Sequence, residues 1–149
     1  MADQKGVTLI EVLVCLAIIL TLSAIAYPLL RGWYQRASIQ SEVFQLVGCL
    51  HMARMAAVKA DSYVVITATP TGFSAFVDDS QDWIRQAEER LLVDYRLRNG
   101  LTLDSRYPSQ RMRFRGGRPE VQAGRFFLTD AEGRRMDVII DIVGRIRVE

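Results

Sequence analysis

The chain has 149 residues, half of them apolar, and a formal net charge of +2 from 19 Lys and Arg against 17 Asp and Glu. That composition excludes a disordered chain, and the length leaves room for about one small domain beside a membrane segment. The charge is unevenly spread: from Arg98 to the end eleven Arg face seven Asp or Glu, whereas Asp78 to Asp94 holds six acids against two Arg. In chain order the first feature is Lys5-Gly6-Val7-Thr8-Leu9-Ile10-Glu11 and the uncharged run Val12 to Leu30 behind it. About 20 apolar residues at roughly 1.5 Å rise cross the roughly 30 Å hydrocarbon core of a bilayer, so the run is long enough to span one. A carboxylate at the mouth of such a helix costs on the order of 2.5–3.5 kcal/mol by insertion scales, which marks Glu11 as a functional residue. Met1 to Gly6 is too short for a secretory signal peptide with its charged, apolar and small-residue regions.

A short leader ending in Gly6, an acidic Glu11 shortly after it and an apolar helix closely resemble the class III signal of type IV pilins and pseudopilins. The resemblance implies cleavage after Gly6 by a prepilin peptidase and N-methylation of the new first residue, Val7, where the family more commonly has Phe. It also matches Pro28 to the proline that the family often carries late in this helix. In pilins the acidic side chain pairs with the new α-amino group on a neighbouring subunit, which gives Glu11 a role in assembly. A helix N-terminus adds partial positive charge beside that amine. An ordinary single-pass anchor, with Glu11 incidental, is the alternative.

Arg31, Trp33 and Tyr34 stand where the helix should leave the hydrocarbon, the composition of a membrane interface. From Ile39 the period changes: Ile39, Val43, Leu46, Val47, Leu50, Ala57 and Val58 recur at three- and four-residue steps, an amphipathic helix with one stripe to bury. Pro28 and Gly32 should bend or locally open the long helix rather than end it. If Val7 to about Lys59 is one helix, Cys15 and Cys49 are on the order of 50 Å apart and cannot pair, since bridged Cα atoms lie within about 7 Å. Cys49 is left with a bridge to another subunit as its one disulfide option.

Tyr63 to Thr69, broken by Pro70-Thr71-Gly72 and followed by Phe73 to Val77, reads as a hairpin. The acidic stretch Asp78 to Glu89 is an excursion with a helical turn over Gln81 to Arg90. Its Asp78, Asp79 and Asp82 lack the regular ligand spacing and glycine of a calcium loop, so a solvated loop is the simpler reading. Leu91 to Leu97 is a strand, Asn99-Gly100 a turn and Leu101 to Leu103 its return. Arg111, Arg113 and Arg115 alternate with Met112 and Phe114, so a strand there carries three guanidinium groups on one face. Further strands follow at Gly124–Thr129, Met136–Ile142 and Arg145–Val148, with turns at Asp130–Gly133 and Gly144. The expected fold class is α+β: a pilin-like long N-terminal helix, transmembrane in its first half, packed on an antiparallel β-sheet. The expected organisation is a leader 1–6, a transmembrane and assembly helix 7–30 and a globular domain 31–149 whose helix continues to about residue 60.

A catalytic reading has little support. His51 is the only histidine and lies two positions from Cys49, on a different helix face, and no Gly-rich loop or Cys/His cluster suits phosphate or zinc. No enzyme activity, cofactor or metal is expected. Gly124-Arg125-Phe126-Phe127-Leu128, the apolar strand after it and Gly144-Arg145-Ile146-Arg147 resemble the C-terminal half of the GspH/FimT class of minor pilins and pseudopilins. Ala53-Arg54-Met55-Ala56-Ala57-Val58-Lys59 resembles the helix end of the same class. In DNA-uptake members the Gly-Arg-x-Arg element is associated with DNA binding, which makes Arg145 and Arg147, and with them Arg111, Arg113 and Arg115, candidates for non-sequence-specific phosphate contacts. Asp137, Asp141 and Glu149 are placed to neutralise the last two arginines instead.

The resemblance thus implies a minor, tip or priming subunit of a type IV pilus, processed by prepilin peptidase and assembled through its N-terminal helix with other pilin subunits. It places the chain in the inner membrane, its C-terminal domain periplasmic, and then in the filament at the cell surface. The alternatives are a GspH-type minor pseudopilin of type II secretion, a DNA-binding minor pilin of a competence pilus, and a plain membrane-anchored domain unrelated to pili.

Overall fold

The computed structural model describes residues 9–98, 100–116 and 121–149. The chain divides into two compact units, one ending at Ala37 and one spanning Ser38–Glu149, both served by the helix α1, Leu9–Ala60. In the first unit α1 exposes its apolar side chains on every side: Leu9 is 79% exposed, Ile25 67% and Leu29 74%. It is the one helix among the described residues long and apolar enough to cross a membrane. Helical structure continues through Pro28 and Gly32, so the proline removes one rung of the hydrogen-bond ladder without ending the helix.

In the second unit α1 becomes one-faced. Ile39, Val43, Leu46, Leu50, Ala53 and Ala57 are buried at alternating steps of four and three residues, with Cys49 beside them. Val58, expected on the stripe, is 62% exposed, because one residue beyond Ala57 is a rotation of about 100° around the helix. Glu42 is a charged residue on the buried face, and its Oε1 lies 3.4 Å from Arg98 Nε. The helix ends with Asp61 in the left-handed region (φ 48°), and Ser62 N–H donates back to Ala57 O at 3.3 Å, the six-to-one bond of a Schellman cap.

Among the described residues eight strands follow: β1 Tyr63–Thr69, β2 Gly72–Asp78, β3 Leu91–Arg96, β4 Leu101–Ser105, β5 Arg111–Arg115, β6 Gly124–Asp130, β7 Arg135–Ile140 and β8 Ile146–Val148. They form two antiparallel sheets, in the orders β3-β2-β1-β5 and β4-β6-β7-β8, where a single sheet was expected. The β1–β2 hairpin is as read from sequence. Asn99-Gly100, by contrast, does not join a hairpin: β3 pairs with β2 and β4 pairs with β6. Asn99 itself lies outside the described residues. On either side of it Leu97 N–H donates to Thr71 O and Leu103 N–H to Pro70 O, so the chain crosses between sheets against the β1–β2 turn.

The expected helical turn over Gln81–Arg90 is also absent. Gln81 (φ 61°) and Trp83 (φ 66°) are left-handed, and buried carboxylates replace the helical acceptors. Asp78 accepts from the N–H groups of Asp82 and Trp83, and Glu89 from those of Ser80 and Gln86. The Asp cluster thus serves backbone donors, and no group of three or more His, Cys, Asp or Glu among the described residues could hold a metal.

Both sheets and the helix stripe share one core, in which Ile66, Met112, Phe114, Phe126, Leu128, Val138 and Ile140 are buried. Gly116, just after β5, runs so close to the end of α1 that a Cβ there would collide with Ala57 O and the Asp61 backbone, whereas a Cβ at Gly48 would meet nothing within 4 Å. Gly116→Ala is therefore expected to lower stability by roughly 1–3 kcal/mol, and Gly48→Ala to raise it by up to about 1 kcal/mol. Thermal unfolding followed by circular dichroism checks both.

Candidate functional site

The sequence pattern of β5 sorts its side chains by face. Met112 and Phe114 are buried in the core, and Arg111, Arg113 and Arg115 occupy the opposite face, opposite Thr67, Val65 and Tyr63 of β1 in the strand register. The loop after β2 brings Trp83 over this row. Arg113 lies against two rings, its guanidinium carbon 4.4 Å from the Tyr63 centroid and 4.2 Å from that of Trp83. Arg111 Nη1 donates to Trp83 O at 2.9 Å, and Arg115 lies 5.5 Å from the Tyr63 centroid. Together with Pro108 and Ser109 of a single 3₁₀ turn, and with Val121, Gln122 and Ile142, these residues line a groove of about 770 Å³. Among the described residues none accepts from the buried Arg111 Nε.

Trp83 is held in place by the acidic loop. Its N–H donates to Asp78 Oδ2 at 3.3 Å. The Asp82 carboxyl is held below its ordinary range chiefly by the Ile84 N–H and the Gln86 amide, against a small effect of burial. The Gln86 N–H likewise lowers the Glu89 carboxyl, with burial opposing and the Ser80 N–H and hydroxyl assisting.

The C-terminal arginines occupy a second feature. Asp141 Oδ1 accepts from the N–H groups of Val143 at 3.0 Å and Arg145 at 2.8 Å, and Gly144 takes a left-handed φ of 76°. Arg145 thus lies in the turn before β8, not on the expected strand, so strand alternation does not align it with Arg147. The Arg145 N–H is the main reason the Asp141 carboxyl sits below its ordinary range; burial opposes, the Val143 N–H assists, and the charges of Arg145 and Arg147 add to it. Asp137, another candidate to neutralise them, is engaged by Arg125 and Arg135 instead. The turn is tied to α1: Arg54 Nη1 donates to Gly144 O at 3.0 Å. The two segments of the second resemblance, 53–59 and 144–147, therefore meet at this bond. Ile142 of the same turn reaches the groove, whereas Arg145 and Arg147 are not among the described residues that line it.

Of the remaining candidates, Glu11 lies exposed in the first turn of α1 and Pro28 inside it, while Gly6 and Val7 fall outside the described residues. His51 is exposed. Cys49 is buried in the core and its thiol is pushed up to about 11 by burial, which removes it both as a nucleophile and as a partner for an intersubunit disulfide. Tyr63, Trp83 and Arg54 are participants that sequence reasoning missed; Trp83, a large apolar residue inside a polar excursion, was the available signal.

An apolar helix bearing an acidic residue in its first turn, followed by a helix stripe packed on antiparallel sheets, defines a membrane-anchored pilin-like subunit. Residues 1–27 match the prokaryotic N-terminal methylation motif, and residues 42–144 match the model of the type II transport protein GspH. The chain belongs to that GspH family, a family of structural subunits and not of enzymes. Among solved structures it is similar to the type IV minor pilin FimU of Pseudomonas aeruginosa in two crystal forms. One aligns at 21% identity with a TM-score of 0.59, covering 77% of this chain and 90% of that one. The other aligns at 20% identity with a TM-score of 0.51, covering 74% and 91%. No curated protein sequence matches the chain.

The lowered carboxyls make the Trp83 loop acid-sensitive. A carboxyl whose folded value is depressed contributes stability that is fully present above its ordinary value and lost as pH falls through the folded one. In a Trp33→Phe background, Trp83 fluorescence is expected to stay constant from neutral pH to just above the ordinary values of 3.8 for Asp82 and 4.5 for Glu89, and to change below them. Asp82→Asn should diminish the transition in a pH titration.

Proposed function

We propose that this chain is a minor pilin of a type IV pilus, placed at or near the tip, where it primes assembly. It is cut after Gly6 by prepilin peptidase and N-methylated at Val7. It waits in the inner membrane as a single-pass protein with its C-terminal domain in the periplasm, and it joins the filament through its N-terminal helix and Pro28. The observation that carries this reading is the first unit of α1, whose apolar surface is exposed all round and whose first turn carries Glu11. A bilayer covers that surface before assembly and neighbouring helices cover it afterwards. Glu11 then meets the Val7 α-amino group of an adjacent subunit, so that a charge costly in the membrane sets the register of packing.

The family match supports a second reading, a minor pseudopilin of a type II secretion system, which shares every one of these features. The genes around its own, for pilus motor proteins or for a secretion channel, separate the two. A third reading, a DNA-binding pilin of a competence system, draws on the exposure of Arg145 and Arg147 and on the row Arg111, Arg113 and Arg115. It predicts salt-sensitive retardation of duplex DNA that Arg145→Gln with Arg147→Gln removes.

Mass spectrometry of the mature protein tests the main reading: the chain should begin with methylated Val7 in cells that have an active prepilin peptidase. A chain still beginning at Met1 would refute it. Glu11→Ala should be processed normally but incorporated into filaments several-fold less, measured by immunoblot of sheared filaments, and equal incorporation would remove the pairing role.

A further inference from the structure

The groove over β5 has no part in anchoring or processing, yet it is built as a binding site. We infer that it takes an extended, acidic segment of another protein, with carboxylates seated on Arg111, Arg113 and Arg115. Three properties of the groove lead there.

The Arg113 guanidinium is in cation–π contact with both Tyr63 and Trp83, which restrain it while it keeps its charge and its fork of N–H donors. That arrangement orients it for a bidentate carboxylate. Arg111 is fixed through Nη1 to Trp83 O. The anion sites are therefore held in position before any ligand arrives.

The spacing selects the kind of ligand. Alternate residues of a strand recur about every 6.6 Å, so the three arginines have the pitch of alternate side chains in any other extended peptide. A segment alternating acidic and apolar residues places its carboxylates on the arginines. Its other side chains point away from the arginine row, and Val121 and Ile142, the latter 73% exposed, give the groove an apolar part beside that row. Nucleic acid fits less well: the Tyr63 and Trp83 rings each have a face taken by Arg113, which leaves a cationic floor in place of a stacking platform for bases. This inference holds whether the machine is a pilus or a secretion system.

The test uses the full chain in detergent with a Trp33→Phe background, titrated into three fluorescently labelled probes: a short peptide alternating Glu with Val, its Gln/Val counterpart and a single-stranded oligothymidylate. Anisotropy should show saturable binding of the Glu/Val peptide, weakened by salt, with no binding of the Gln/Val peptide and a parallel change in Trp83 emission. Arg113→Gln should weaken binding about tenfold or more, and Arg113→Lys, which keeps the charge but loses the planar stack, by less. If Arg113→Gln does not fold by circular dichroism, Arg115→Gln at the exposed end of the row serves in its place. Absence of saturable binding, equal binding of the Gln/Val peptide, or an affinity unchanged by these substitutions would overturn the inference. Tighter, arginine-dependent binding of the oligonucleotide would overturn it in favour of nucleic acid.

Discussion

Two sheets and a helix stripe share one core, and the stripe is what makes them one unit. Ile39, Val43, Leu46 and Leu50 are the large members of that face, each at most 4% exposed. Full burial of such side chains is worth about 1.5–3 kcal/mol each, so four contribute on the order of 6–12 kcal/mol, an upper bound since the unfolded chain buries part of that surface already. A typical domain has a net stability of about 5–15 kcal/mol, so neither sheet would be expected to hold its place without α1. The same helix exposes apolar side chains on every side from Val12 to Leu30 and buries one apolar side from Ile39 onward. One element therefore serves two solvents, and the change in its hydrophobic period marks the passage from one to the other.

Local signals in the chain were reliable where the structure is local. The β1–β2 hairpin follows from β-branched residues around Pro70-Thr71-Gly72, and the arginine row of β5 from simple alternation. Partner choice between strands was not legible. Asn99-Gly100 has the chemistry of a hairpin turn, but β3 is taken by β2 and β4 by β6, a decision made by burial of Leu101 and Leu103 in a core assembled from distant residues. The Asp78–Glu89 excursion failed for a related reason. Acids that look solvated in sequence are turned inward at Asp78 and Glu89 to accept backbone donors, which removes the helical alternative.

The same division runs through the candidate site. Arg111, Arg113 and Arg115 were visible as a row, while Tyr63 and Trp83, which turn that row into a groove, come from a neighbouring strand and a loop. No spacing rule links positions 63, 83 and 113. At the C-terminus Gly144-Arg145-Ile146-Arg147 was visible as a motif. Placing the strand at Arg145–Val148 overlooked Asp141, whose carboxylate gathers the Val143 and Arg145 N–H groups into a turn and delays β8 to Ile146.

The bond from Arg54 to Gly144 joins residues 90 apart in the chain. Loop closure over such a distance is entropically costly and slow, and its reward arrives only when both ends are present. The helix end that supplies the guanidinium is made early, and the carbonyl it needs is made 90 residues later. Until Gly144 has been synthesised and delivered, the end of α1 lacks its acceptor and the last turn has nothing to fasten to. A chain without Gly144 would therefore keep the helix and leave the end of α1 and the Asp141 turn unfastened, so this one bond couples the start of the globular unit's fold to its last turn.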